Sequence, residues 1–179
     1  MNDINSVIAA GVPYKQHDLL PHIAVGIHLW GGNAGRFAFN DGGGFLSNCP
    51  MSAYGDMAES LIKNPVNLMP PLGNWQSVFI NANRLRNIGV SFATKHISFW
   101  SKATSSGIRL PILDSLIYQK FIAAKGQPTW SHYVPFVTDF EYLRSIVAAR
   151  PALAGITLDQ MERQLFNWMN TPAARGWSR

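Results

Sequence analysis

Lys95 and Asp114 are the two side chains whose type, spacing and surroundings best suit covalent chemistry. Lys95 stands in SFATKHISFW, with Phe92, Ile97 and Phe99 around it. An amine partly withdrawn from water by such neighbours loses proton affinity, and the free amine is a nucleophile. Asp114 lies 19 positions later, three residues after Pro111, where a helix is expected to begin. A helix N-terminus favours an ionised carboxylate. Such a carboxylate can stabilise a developing sugar cation or move protons. Both residues also fit plain structural roles: Asp114 as a helix cap, Lys95 as a stem running along apolar surface to water.

Charge singles out the segment that holds this pair. Residues 84–125 carry seven Lys/Arg and a single acid, Asp114. The 179-residue chain has net charge +5, so the remainder is close to neutral, with eight basic groups against nine acidic. A localised basic field is what a nucleic-acid binder presents; a solvated basic face gives the same pattern.

The elements that must position the pair follow from periodicity. Apolar spacing places Lys95 on a helix from about Ser91 to Lys102, and Asp114 near the head of a helix over 112–124. A preceding helix over 74–86 carries Trp75, Val78, Phe79, Ala82 and Leu85 on one face. The break Asn87-Ile88-Gly89 turns these helices into a hairpin. Gly89 can take positive φ there without steric cost, and the N–H groups that open the next helix suit a phosphate. Arg84, Arg86, Asn87, Gly89, Ser91 and Lys102 are the candidate DNA contacts, of the kind that hold the backbone without reading sequence.

Around this centre, helices are expected over residues 4–10, 18–30 (Asp18 as N-cap, Pro21 in the first turn), 52–63, 138–150 and 157–170. Thr138-x-x-Glu141 and Thr157-x-x-Gln160 read as capping boxes that open the last two. Phe140, Leu143, Ile146 and Val147 would face inward on the first, and Leu158, Met161, Leu165 and Trp168 on the second. Trp30, Trp75 and Trp100 also read as core. The Gly-rich residues 31–48 read as a loop or a small β-hairpin near 35–46. Residues 126–137 read as a loop whose Trp130, His132 and Tyr133 could line a base pocket. The tail after residue 170 is expected to be loose. The expected fold is all-α, a single compact helical domain spanning residues 1–179.

Composition narrows the function classes. The chain is 47% hydrophobic and 14% charged, which argues against disorder. A single cysteine, Cys49, allows no internal disulfide and fits a reducing cytoplasm. The longest apolar runs, such as IAVGIHLW, are too short to span a bilayer, and the first residues show no signal-peptide pattern. His22 and His28 are six apart, and no Cys/His cluster has zinc spacing, so no metal is expected. Gly42-Gly43-Gly44 is not followed by Lys-Ser/Thr, so it is not a phosphate-binding P-loop, and no cofactor is expected.

IGVSFATKHISFW followed by LPILDSLI resembles the helix-hairpin-helix DNA glycosylases, within them the 8-oxoguanine DNA glycosylase-like branch of small bacterial and archaeal proteins. The resemblance covers about 40 residues, within a hairpin and catalytic segment of 74–125. It implies an all-α fold with a helix-hairpin-helix motif and a double-stranded DNA partner. By it, Lys95 matches the Schiff-base lysine, Asp114 the catalytic aspartate, and Asn87 to Ser91 the hairpin. The implied activity is excision of a flipped base, 8-oxoguanine or a modified base of phage DNA in an antiviral role, with strand cleavage if Lys95 forms an imine. The family hairpin reads Leu-Pro-Gly-Val-Gly with the lysine two residues on. Here Lys95 lies six after Gly89, and Asn87 replaces the first glycine. A non-catalytic DNA-binding helical module and a helical protein-interaction domain are the alternative readings, and no obligate protein partner is evident.

Overall fold

The structure is a computed structural model, and it describes residues 20–31, 51–63, 88–102, 109–121 and 126–175. The helices are α1 (Leu20–Trp30), α2 (Met51–Lys63), α3 (Val90–Lys102), α4 (Ser115–Phe121), α5 (Trp130–Ala148), α6 (Leu158–Met169) and a short α7 (Pro172–Arg175), with a 3-10 turn at Pro151–Leu153. The fold is all-α, with no strand among the described residues. The expected helices over 4–10 and 74–86, the cap Asp18, the hairpin near 35–46 and Trp75 lie outside those residues, as do Arg84, Arg86 and Asn87.

The helices pack as two sets of three. α1, α2 and α3 touch one another, and α6 packs on both α4 and α5. One apolar cluster runs through both sets, from Leu20, Ile27 and Tyr54 through Trp100 and Leu113 to Phe136 and Leu158. A six-residue strap with neither helix nor strand, Arg109–Asp114, leads into α4 and lies against both sets. Residues 112–114 belong to this strap and not to the expected helix, which starts only at Ser115. Pro111 keeps Leu110 out of helical geometry.

Buried backbone outside helix and strand must find its hydrogen bonds elsewhere. The strap finds them on side chains of three helices. Leu110 N donates to Ser101 Oγ (2.9 Å), Leu113 N to Thr94 Oγ1 (3.2 Å) and Ile112 N to Glu162 Oε2 (2.9 Å). Tyr133 OH, from α5, donates to Pro111 O (3.1 Å).

Several local expectations give way. The segment read as a loop over 126–137 is helical from Trp130, and Thr138 lies inside α5. The helix runs through Pro135, which is exposed to water together with Ser131, whose carbonyl loses a partner. Thr138 donates instead to Val134 O, and Glu141 pairs with Arg144. Leu143 and Ile146 are exposed. The second box holds: Gln160 N donates to Thr157 Oγ1 and Thr157 N to Gln160 Oε1. On α6 Leu158 is buried as expected, but Met169 takes the place expected of Trp168, which is exposed. The start of the tail forms α7.

A polar chain runs through the core of the first set. Trp100 Nε1 donates to Tyr54 OH (2.9 Å), which lies 2.8 Å from His96 Nδ1, and His96 Nε2 lies 2.9 Å from His28 Nδ1. His28 and His96 are 3% and 0% exposed. Burial holds the His28 imidazole down at about 4 and His96 well below its usual range, with the Lys95 ammonium acting on both in the same direction. Above pH 6.5 both histidines are neutral folded or unfolded. As pH falls below 6.5 the unfolded chain takes up protons that the folded one refuses, so stability is lost towards pH 4. Urea denaturation should therefore show about 2 kcal/mol less stability at pH 5 than at pH 7 from His28 alone, and His28→Leu should flatten that dependence.

Among the described residues no helix is long and apolar enough to cross a membrane.

Candidate active site

Lys95 and Asp114 meet at one cavity. Its volume is about 480 Å³, and it lies where the two helix sets face each other. Trp30 and Gly31 come from the end of α1, Lys95 from α3, Arg109, Ile112 and Asp114 from the strap, and Asp159, Glu162, Arg163 and Phe166 from α6.

Lys95 sits mid-way along α3, half-buried, with Nζ 4.3 Å from the centre of the Phe92 ring. Burial lowers its proton affinity, while the carboxylates of Asp114 and Glu162 partly restore it. Neither carboxylate comes within 4.0 Å of Nζ; among the described residues the ion pair at that range is Arg144–Glu141. The amine is thus placed among acids without being locked to one.

Asp114 is the N-cap of α4. Ile117 N donates to Oδ1 at 2.8 Å, and Tyr118 N donates to the Asp114 carbonyl at 2.9 Å. The structural role foreseen for this residue is therefore filled by one oxygen. Oδ2 makes no hydrogen bond to a described residue, and Asp114 borders the cavity.

Two cavity groups were not singled out from the sequence. Glu162 lies on the inward face of α6, four residues after Leu158 and three before Leu165. That spacing was the available signal, a carboxylate on an apolar stripe. Burial pushes its carboxyl up to about 7, against the opposing pull of the Ile112 N–H and the Arg109 guanidinium. Arg109 is 9% exposed. Its Nε donates to Ser98 Oγ at 2.8 Å, and its guanidinium lies 5.0 Å from the Phe99 ring and 5.9 Å from the Trp30 ring. The basic field of residues 84–125 is therefore not one solvated face, since Lys95 and Arg109 turn into the cavity. Trp30, expected in the core, is 37% exposed at the cavity edge, and Phe166 lies on the α6 side.

The candidate DNA contacts divide. Gly89 and Ser91 open α3, with Gly89 O accepting from Phe92 N and Ala93 N. Gly89 does not take positive φ; among the described glycines Gly126 and Gly155 do. It is an exposed helix cap with no atom near the position of an added Cβ. Lys102 is exposed at the other end of α3, about 18 Å away by helical rise.

Trp130, His132 and Tyr133 do not border this cavity. Being helical, they point by helical geometry. Tyr133 is buried, with its hydroxyl on Pro111 O, and Trp130 packs against the core. His132 Nδ1 accepts from Thr129 N at 3.1 Å, closing the start of α5. Among the described residues no group of three or more His, Cys, Asp or Glu is placed to hold a metal ion.

Comparison with protein-family models, with curated proteins and with solved structures finds no match to the chain.

Proposed function

We propose that this chain is a DNA N-glycosylase that takes a flipped base from double-stranded DNA into the cavity and excises it, acting in the cytoplasm. The observation that carries the reading is the meeting of Lys95 and Asp114 in one cavity, the amine weakened as a base by burial and the carboxylate held in place by its bond from Ile117 N. A neutral amine attacks C1′ of the extruded nucleotide as the bond to the base breaks. Asp114 stabilises the positive charge that develops on the sugar. If the adduct opens to an imine, β-elimination cleaves the strand. Trp30 and Phe166 supply aromatic surface against which a base can stack. The N–H groups at the head of α3, beside Gly89 and Ser91, and the Lys102 ammonium provide phosphate contacts. The substrate is an 8-oxoguanine-like base, or a modified base of phage DNA in a defence role.

The decisive measurement is base release by the wild-type protein from duplexes carrying 8-oxoguanine or glucosylated 5-hydroxymethylcytosine. Free base and an alkali-labile site are expected from one of them; release from neither rejects the reading. The capping bond of Asp114 favours one other reading, a DNA-binding helical module without chemistry. That module would bind DNA with a steep salt dependence and form no abasic product.

A further inference from the structure

Expulsion of a neutral base leaves an electron pair on its ring nitrogen, and that nitrogen needs a proton. Lys95, once it has attacked, carries a surplus proton, but it lies on the sugar side of the breaking bond. The cavity holds two further carboxyls, both on α6: Asp159, in the first turn, which accepts from Thr157 Oγ1, and Glu162. Glu162 Oε2 accepts from Ile112 N at 2.9 Å, which fixes that oxygen as the acceptor. Oε1 makes no hydrogen bond to a described residue, and the side chain borders the cavity. A proton on this group therefore resides on Oε1, in a site also faced by the aromatic rings of Trp30 and Phe166.

We propose that Glu162 is the proton donor to the departing base, a role that rests on the glycosylase reading. The step balances. The C1′–N bond breaks and its pair goes to the base; Glu162 Oε1–H passes its proton to the base nitrogen and is left as a carboxylate. The Lys95 Nζ–C1′ bond forms, and the proton lost from Nζ goes to water or Asp114. Base release thus consumes one proton from Glu162, and a later exchange with solvent restores it.

The groups around Glu162 pull both ways. The Ile112 N–H and Arg109 from the strap favour the carboxylate, as does Lys95 from α3, and Arg163 on its own helix also borders the cavity. Asp114, Asp159 and burial oppose ionisation, and the buried phenol of Tyr133 lies behind. Burial is the largest influence and holds the carboxyl at about 7, so a usable fraction stays protonated at neutral pH.

Glu162→Gln separates proton donation from positioning. The amide oxygen can still accept from Ile112 N, so the strap keeps its anchor, but the side chain carries no transferable acidic proton. Two single-turnover measurements are needed on the whole protein: base release from whichever of the two modified duplexes the wild type processes, and borohydride trapping on a duplex with a preformed abasic site, where no base departs. The expected result is base release slowed about 100-fold, trapping within about threefold of wild type, and loss of the fall in wild-type base release above pH 7. Wild-type base release in Glu162→Gln overturns the proposal and leaves the glycosylase reading standing. An equal fall in release and trapping also overturns it, since Glu162 would then be holding the strap. Absence of both activities in the wild type overturns the two readings together.

Discussion

Lys95→Gln is expected to give no covalent adduct with abasic-site DNA in the presence of borohydride, while the wild type gives a stable one. The reduction of an imine to a secondary amine requires a primary amine at C1′, and Lys95 is the described lysine that borders the cavity. Glutamine, one atom shorter than lysine, keeps the first part of the stem and a polar end beside the Phe92 ring without supplying an amine. The wild-type trapping rate should also report the environment of Nζ. Burial lowers its proton affinity, so the rate should rise with pH and level off below the range of an ordinary lysine. Trapping at the wild-type level in Lys95→Gln, read by mass spectrometry of the adduct, would move the nucleophile elsewhere. If base release persists while trapping is lost, the protein uses water for excision and Lys95 only for strand chemistry.

Asp114→Asn is expected to slow base release about 100- to 1,000-fold while changing stability little. Asparagine and aspartate cap helices about equally well, so the bond from Ile117 N to Oδ1 has a replacement. What is lost is the negative charge. Asp114→Ala should lose activity similarly and also cost about 1 kcal/mol of stability through the vacated cap. Urea denaturation of the two variants beside single-turnover kinetics distinguishes the electrostatic part of this residue from the structural part. Full base release by Asp114→Asn would refute the assigned role and leave the carboxylate as a cap alone.

Lys95 and Asp114 were legible from the sequence as a pair because the constraints on each are local, whereas their meeting at one cavity comes from the packing. Lys95 sits on a helix whose apolar neighbours show its direction, and Pro111 announces a change of backbone shortly before Asp114. Glu162 was hidden because it lies 48 positions beyond Asp114, and only the packing of α6 on α4 brings it back to the strap. Arg109 was visible as charge, but its burial depends on Ser98 and two aromatic rings from different helices. The segment 126–137 was read as a loop, yet from Trp130 it is a helix that runs through Pro135 with Tyr133, Phe136 and Val137 buried, a gain that only the packed partners supply. The polar core chain was equally out of reach, since His28 and His96 stand 68 residues apart.

The strap that carries Asp114 is tied by side chains of α3, α5 and α6 on both sides of Pro111. Its conformational entropy is therefore given up when the chain folds, at roughly 1–2 kcal/mol per residue. A ligand entering the cavity meets a backbone already in place, so binding free energy need not be diverted to ordering it. The same arrangement makes the site inseparable from the fold. Loosening any one of Thr94, Ser101 or Tyr133, none of which borders the cavity, returns part of that freedom to the segment that carries Asp114, so side chains outside the cavity set how firmly its carboxylate is held.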